Sequence, residues 1–288
     1  MLNNEDKKFL ELYSDSEYEK PSVTVDAVIL RINSTENSNY RKLPVKKLQV
    51  FLNKRQYPPF KDQFAVVGTF INLDYELNET LKLCVKNKVN LEDFYYEQLF
   101  TFADKARDPR TRVLSVSYML LTNKEQELQN GDWFDISFEE VENSLEKLEN
   151  GYKSHKKIKI SLSNNNTTLN NIIEVTNLKQ GIEETKNVTI KQNELAFDHI
   201  KIIYYALERL KNKLEYTDII FNLLPNEFTL TELKQCYEII LQKPLLDANF
   251  RRKTAKMVSP ISKYVEGKGH RTSQLFTHNP SWEIINLD

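Results

Sequence analysis

The sequence predicts an α/β fold, a mixed sheet between helices, followed by a smaller and mainly helical unit. Three observations carry this. Runs of β-branched and aromatic residues at 22–32, 48–53, 64–67, 95–102 and 112–121 read as strands. Apolar stripes at helical spacing cover 76–89 and 194–214. Beyond residue 214 the pattern changes to helix, turn, helix, turn, helix and two short strands.

The 288 residues are enough for two domains with a substantial core. We expect one domain over 1–150, an insertion or linker with a possible hairpin over 151–192, and a second domain over 193–288. A net charge of −1 predicts no polyanion partner for the chain as a whole. Cys84 and Cys236 are far apart and lack metal-ligand spacing, which reads as two buried, reduced thiols. No apolar run reaches membrane-spanning length, and the start of the chain is polar and acidic, so a cytoplasmic protein is expected.

In order along the chain, residues 5–19 read as a short amphipathic helix ending before Pro21. Strands at 22–32 and 48–53 lead into a proline-punctuated loop, 54–61, which carries three cations. A strand at 64–67 enters a glycine turn at Gly68, and the helix over 76–89 follows, with Leu77, Leu81, Cys84 and Val85 on its core-facing stripe. A charged loop, 104–111, separates the strands at 95–102 and 112–121. Residues 138–150 are helical by periodicity, and 157–163 with 172–177 suggest a hairpin across 164–167. The long helix over 194–214 joins the two domains.

The C-terminal unit has more specific signals. Thr229 and Glu232 form a capping box for a helix running to about Leu241. Asp247 is placed to cap a third helix, 248–257. Gly267 and Gly269 bracket a basic tip before a returning strand at 274–276. That order is the outline of a winged helix-turn-helix, with 248–257 as the recognition helix and 266–272 as the wing. Between 246 and 276 seven cations stand against Asp247 and Glu266, a local excess that suits phosphate contact. The expected DNA-contacting set is Thr229, Thr231, Asn249, Arg251, Arg252, Lys253, Lys256, Lys268, His270 and Arg271. The alternative is a basic helical face in contact only with solvent.

Residues 66–91 have the layout of a Nudix catalytic box without its catalytic residues. Gly68, Phe70 and Ile71 fit the pattern. The place of the Arg-Glu pair holds Leu83-Cys84, that of the Glu-Glu pair holds Asn87-Lys88, and the closing glycine is Asn90. Magnesium is held by carboxylates and substrate phosphates, and Lys88 puts a cation where a ligand belongs. No catalytic residue, metal or cofactor is therefore assigned, and sensing is favoured over turnover. Taken alone, 76–89 is simply an amphipathic helix.

The two halves together resemble the NrtR family, Nudix-related transcriptional regulators of bacteria. The likeness rests on Pro21–Asp26, Lys54-Arg55 with Pro58–Lys61, Leu99–Phe102 with Arg107–Arg110, Leu195–His199, Leu214–Thr217, Phe228–Leu233 and Asn249–Lys253. It covers most of the chain except about 150–192. It implies a homodimer on a palindromic operator in double-stranded DNA, acting mostly as a repressor, with a Nudix-like domain that binds an NAD-related metabolite such as ADP-ribose, or a sugar. By position the effector candidates are Arg55, Phe60, Lys61, Arg107, Arg110 and Arg112, arginines being suited to bidentate phosphate contact. Salt bridges to Asp104 and Asp108 are the competing role for these arginines. The competing functions are a MutT-like Nudix hydrolase acting on ADP-ribose or another nucleoside diphosphate derivative, and a protein-interaction module.

Overall fold

The computed structural model describes residues 3–14, 16, 18–35, 37, 43–124, 130–265 and 272–282. The chain opens with α1 (Asn4–Leu12), started by a reciprocal capping box between Asn3 and Asp6. It stops well short of residue 19. Tyr13 turns to extended backbone and Ser14 bonds locally to Ser16, which competes with helix.

Strands β1 (Ser22–Thr35), β2 (Val45–Lys54), β3 (Phe64–Ala65) and β4 (Val67–Phe70) come next. Helix α2 (Leu77–Val89) and strands β5 (Tyr95–Phe102) and β6 (Val113–Leu121) follow. β1 is central: it pairs antiparallel with β2 and β4 and parallel with β6. A strand covered on both faces reads as a continuous apolar run, which is the pattern seen at 22–32. Its alternate residues serve two cores, Val28 and Leu30 on one face, Val25, Ala27 and Ile29 on the other. α2 seals the second core with Leu81, Cys84, Val85 and Val89. Asn90 ends α2 in the left-handed region (φ 59°), a conformation that asparagine tolerates well, so a glycine is not needed there.

The sheet continues through β7 (Gly131–Leu148), β8 (Gly151–Ser163), β9 (Thr168–Gln180) and β10 (Glu183–Gln192). Its order is β10-β9-β8-β7-β2-β1-β6-β5, with β3 on β2 and β4 on β1. The helix expected at 138–150 is instead the outer half of β7. Phe138, Val141, Leu145 and Leu148 fall at helical spacing, but β7 pairs with β8 from Asp135 to Leu148. Cross-strand ion pairs, Lys156–Glu140 at 2.8 Å and Lys157–Glu142 at 2.9 Å, support the extended form. Weak helix propensity yields to this pairing, and Val141 and Leu145 stay exposed. Residues 151–192 thus lie in the same sheet as the strands before them, and Ile158, Ile160, Ile173 and Val175 join the first core.

Helix α3 (His199–Lys213) covers that core with Ile200, Ile203, Ala206, Leu207 and Leu210. Helices on both faces make the α/β/α sandwich. The helical stripe was expected from residue 194, but α3 begins later. Leu195 bridges in parallel to Phe64, and the Ala196 N–H donates to the Phe64 carbonyl at 2.8 Å. Phe197 then takes a left-handed conformation (φ 55°) before the helix starts.

The C-terminal unit comprises a 3-10 turn (Ile219–Leu223), β11 (Phe228–Thr229), α4 (Leu230–Leu241), α5 (Asp247–Thr254), β12 (Val258–Val265) and β13 (Ser273–His278). Its small sheet runs β11-β13-β12, the arrangement of a winged helix-turn-helix. The Thr229–Glu232 capping box starts α4. Asp247 does not cap α5. It is the first helical residue, Leu246 precedes it without a side-chain bond, and the Asp247 carboxylate is held by Lys234 at 2.5 Å.

Candidate effector site and nucleic-acid interface

A cleft of about 250 Å³ opens beside the ends of β1, β3, β4 and α2, closed by the loop 103–112 and the residues before α3. Gly68 lies on its wall, within β4 and opposite Asp26, not in a turn. A Cβ at this position would lie 1.9 Å from the Asp26 carboxylate and 2.9 Å from the Val25 carbonyl. Close approach of β4 to β1, and not a special φ, therefore requires glycine here.

Of the expected effector residues, Arg55, Arg107 and Arg110 line this cleft; Phe60, Lys61 and Arg112 do not. Phe60 stands behind it, with its ring edge-on to Phe197 at 4.8 Å. Lys61 and Arg112 are exposed. Phe197 is the aromatic centre of the wall. Arg55 lies over its ring at 4.8 Å and Arg110 at 5.8 Å, and Arg110 also faces Phe70 at 5.3 Å. The Arg55 Nε donates to the Pro59 carbonyl at 2.9 Å, which fixes the fork. Burial, then Arg110, pushes the Arg55 guanidinium below its ordinary pKa, so an anion beside Arg55 would relieve it.

The expected Asp108 bridge is present: Arg110 grips that carboxylate through Nε at 3.0 Å and Nη2 at 2.8 Å. Burial raises the Asp108 carboxyl, but the bonds from Arg110 outweigh it and hold it below the usual range. Asp104 pairs with Lys201 at 2.6 Å, not with an arginine. Arg107 is buried and bound fork to fork by Asp198, at 3.1 and 2.8 Å, with Asp26 a further 3.8 Å from its Nη2. Its fork is therefore taken up by carboxylates at the floor of the cleft. Asp26 accepts from Ser115 and Thr24, yet burial raises its carboxyl above the ordinary value.

His199, the first residue of α3, also faces the cleft. The Val66 N–H donates to its Nδ1 at 3.2 Å, so the neutral ring carries its proton on Nε2. Burial, with Arg107 and Arg55 nearby, lowers its pKa to about 4. Between the ordinary value of 6.5 and about 4 the unfolded chain takes up a proton here that the folded chain does not. Stability therefore falls as pH drops through that window, by about 3 kcal/mol in the limit. Asp26 acts in the opposite sense, since burial raises its carboxyl above the ordinary value in the folded chain. Urea unfolding of wild type and His199→Gln across this range checks the assignment. The variant is expected to have the shallower acid slope, and equal slopes would contradict it.

The box positions on α2 complete the site. Leu83 is exposed, and Cys84 is buried, its thiol pushed up to about 11 by that burial. Lys88 reaches into the cleft and donates to the Gly68 carbonyl. Among the described residues no group of three or more His, Cys, Asp or Glu side chains is placed to hold a metal ion. Phe197, His199 and Lys88 were missed as candidates. The first two were hidden inside an apparent helical stripe, and the third was read only as a lost metal ligand.

The second surface is α5. It buries only Phe250 and Thr254, with Phe250 edge-on to Tyr237 at 5.7 Å. Asn249, Arg251, Arg252 and Lys253 are left exposed together on the outer side, and Lys256 follows just past the helix, also exposed. The Arg252 Nη2 reaches the Asn249 Oδ1 at 3.4 Å. Lys253 is tied down by Glu215 at 3.1 Å and lies over Tyr237. Thr231 is exposed in the first turn of α4, whereas the Thr229 hydroxyl is engaged in the cap. Lys268, His270 and Arg271 of the expected wing tip lie outside the described residues.

Residues 220–277 match the family described as the NrtR DNA-binding winged helix domain. The C-terminal unit is thus similar to the DNA-binding domain of NrtR regulators. The NrtR-like sequence is 28% identical over 255 residues to the ADPR responsive transcriptional repressor NtrR of Acinetobacter baylyi, spanning 86% of this chain and 78% of that one. The fold of the NrtR-like chain is shared by a MutT/nudix family protein of Enterococcus faecalis (TM-score 0.65, 24% identity, 96% of this chain and 93% of that one). It is shared as well by Shewanella oneidensis NrtR in complex with a 27mer DNA (TM-score 0.59, 22% identity, 90% and 94%). The first domain of this NrtR-like chain is accordingly a Nudix-like α/β sandwich. No described helix is long and apolar enough to cross a membrane.

Proposed function

We propose that this chain is a cytoplasmic transcriptional repressor that binds a palindromic operator as a homodimer and is controlled by ADP-ribose in the Nudix-like cleft. The observation that carries the reading is the position of α3. Its first residue, His199, lines the cleft and the preceding Asp198 holds the cleft's Arg107, while its body packs on α4 of the winged helix. One helix thus links the cleft to the winged helix. Further links join the same halves: Asn123 donates to the Leu224 carbonyl, and Gln235 to the Pro44 carbonyl at 3.2 Å. A ligand that alters the Arg107–Asp198 end of α3 shifts the balance between DNA-competent and released forms, provided it binds the two with different affinity.

ADP-ribose is the ligand of choice for two reasons. The Acinetobacter relative carries responsiveness to it in its name, and the cleft offers arginines for phosphate beside aromatic faces for a base. Hydrolysis is not part of the proposal, because Cys84, Asn87 and Lys88 stand where metal-holding carboxylates are needed.

The DNA half is tested by anisotropy of labelled DNA from upstream of the protein's own gene, titrated at several salt concentrations. Sequence-specific binding with a steep negative salt slope is expected. Equal affinity for unrelated DNA would count against an operator. Doubling of the protomer number per duplex in sedimentation, with half-sites about one helical turn apart, is the expected sign of the homodimer.

A further inference from the structure

Of the box positions on α2 only Lys88 lines the cleft, and neither its neighbours there nor Asp26 fits a divalent metal. Cys84 is a buried, protonated thiol at neutral pH, Asn87 carries no charge, and Asp26 is engaged by Ser115 and Thr24 with Arg107 nearby. In their place the cleft has a cation of its own. The Lys88 side chain is half-buried at the end of α2, beside the left-handed Asn90 cap, and its ammonium is anchored on the Gly68 carbonyl. An ammonium has three donors. The bond to Gly68 uses one, and two remain for a ligand. The same cleft holds Arg55 and Arg110, and among the described residues the carboxylate bound to them is Asp108, on Arg110. A cleft so furnished carries more fixed positive charge than its carboxylates cancel.

We propose that Lys88 is a built-in cation that takes the place of a divalent metal, so that the cleft holds the diphosphate of its ligand without metal. This rests on the ADP-ribose reading for the ligand's identity, but not for its charge. A compact ammonium suits the role better than a planar guanidinium, because it can meet oxygens of both phosphates from one point. The anchoring by Gly68 keeps the head in place before the ligand arrives, which lowers the ordering cost of binding.

Calorimetric titration of ADP-ribose, and separately of inorganic pyrophosphate, into the full chain tests this, each with EDTA and with Mg²⁺. Wild type is expected to bind equally in both. Lys88→Met is expected to weaken binding by about 10- to 100-fold with the melting temperature little changed, and Lys88→Arg to recover part of the loss. Lys88→Glu is expected to bind only with Mg²⁺. Wild-type binding that EDTA abolishes, or undiminished binding by a folded Lys88→Met, overturns the inference while leaving ADP-ribose as the ligand. Pyrophosphate binding with this Lys88 dependence but no ADP-ribose binding overturns the ligand and keeps Lys88. Absence of both overturns both.

Discussion

Arg107→Met is expected to lower the free energy of unfolding by about 3–5 kcal/mol. The Arg107 side chain is 4% exposed and makes two parallel bonds to Asp198, itself 9% exposed. Removing the guanidinium leaves Asp198 buried without a cation, and takes from Asp26 its neighbour at 3.8 Å. The penalty comes less from lost attraction than from desolvated carboxylates with nothing to neutralise them. It should shrink as pH falls, because the orphaned carboxyls then take up protons in the folded state. The double variant Arg107→Met/Asp198→Leu is expected to recover much of the loss, a positive coupling between the two positions. Denaturant unfolding of the four members of the cycle checks this, and an additive cycle would show that the pair is not coupled. Since Asp198 sits at the entrance to α3, the same variant is also expected to weaken the response of DNA binding to ligand.

The second large effect lies on α5. Arg251→Ala and Arg252→Ala are each expected to cost about 1–3 kcal/mol in operator binding if the arginine reads a base edge, and to relax discrimination at one position of the site. Both side chains are exposed, so neither substitution should move the thermal midpoint. Lys253 provides the contrast. Its ammonium is paired with Glu215 and rests over Tyr237, so Lys253→Ala should weaken all DNA alike and flatten the salt slope. Competition titrations against operator and scrambled duplexes separate these outcomes. Undiminished affinity in both arginine variants would remove α5 as the reading helix.

How much of this was legible depends on distance along the chain. The central strand at 22–32 and the Thr229–Glu232 capping box were readable because their cause is local, a covered strand in one case and a three-residue spacing in the other. The outer half of β7 was not. Its Glu and Lys residues favour a helix by propensity, and only the partner strand β8 decides otherwise. The cleft was partly readable. Arg55 and Arg110 were picked from their loops, but Lys61 and Arg112 in the same loops point elsewhere, and charge near a motif does not give direction. Arg107 was picked for phosphate, whereas its partner Asp198 is 91 positions away and nothing local announces it. Phe197 was hidden because Leu195 continues the stripe of α3, although the bridge to Phe64 breaks the helix before it. Gly68 was recognised for the right residue type and the wrong reason, as a turn glycine instead of a close contact with Asp26.

The central claim is that occupancy of the cleft changes DNA binding through α3. The most direct measurement is the anisotropy of labelled operator DNA, titrated with the full chain in the presence and absence of saturating ADP-ribose at fixed salt, with NAD and free pentoses as parallel arms. A shift in operator affinity by ADP-ribose of about 5- to 150-fold, needing about 10- to 100-fold more ADP-ribose with the Lys88→Met chain, is the expected result. Equal operator affinity with and without ADP-ribose, in a chain shown by calorimetry to bind it, would contradict the account, and a shift produced by a pentose alone would assign the cleft a different effector.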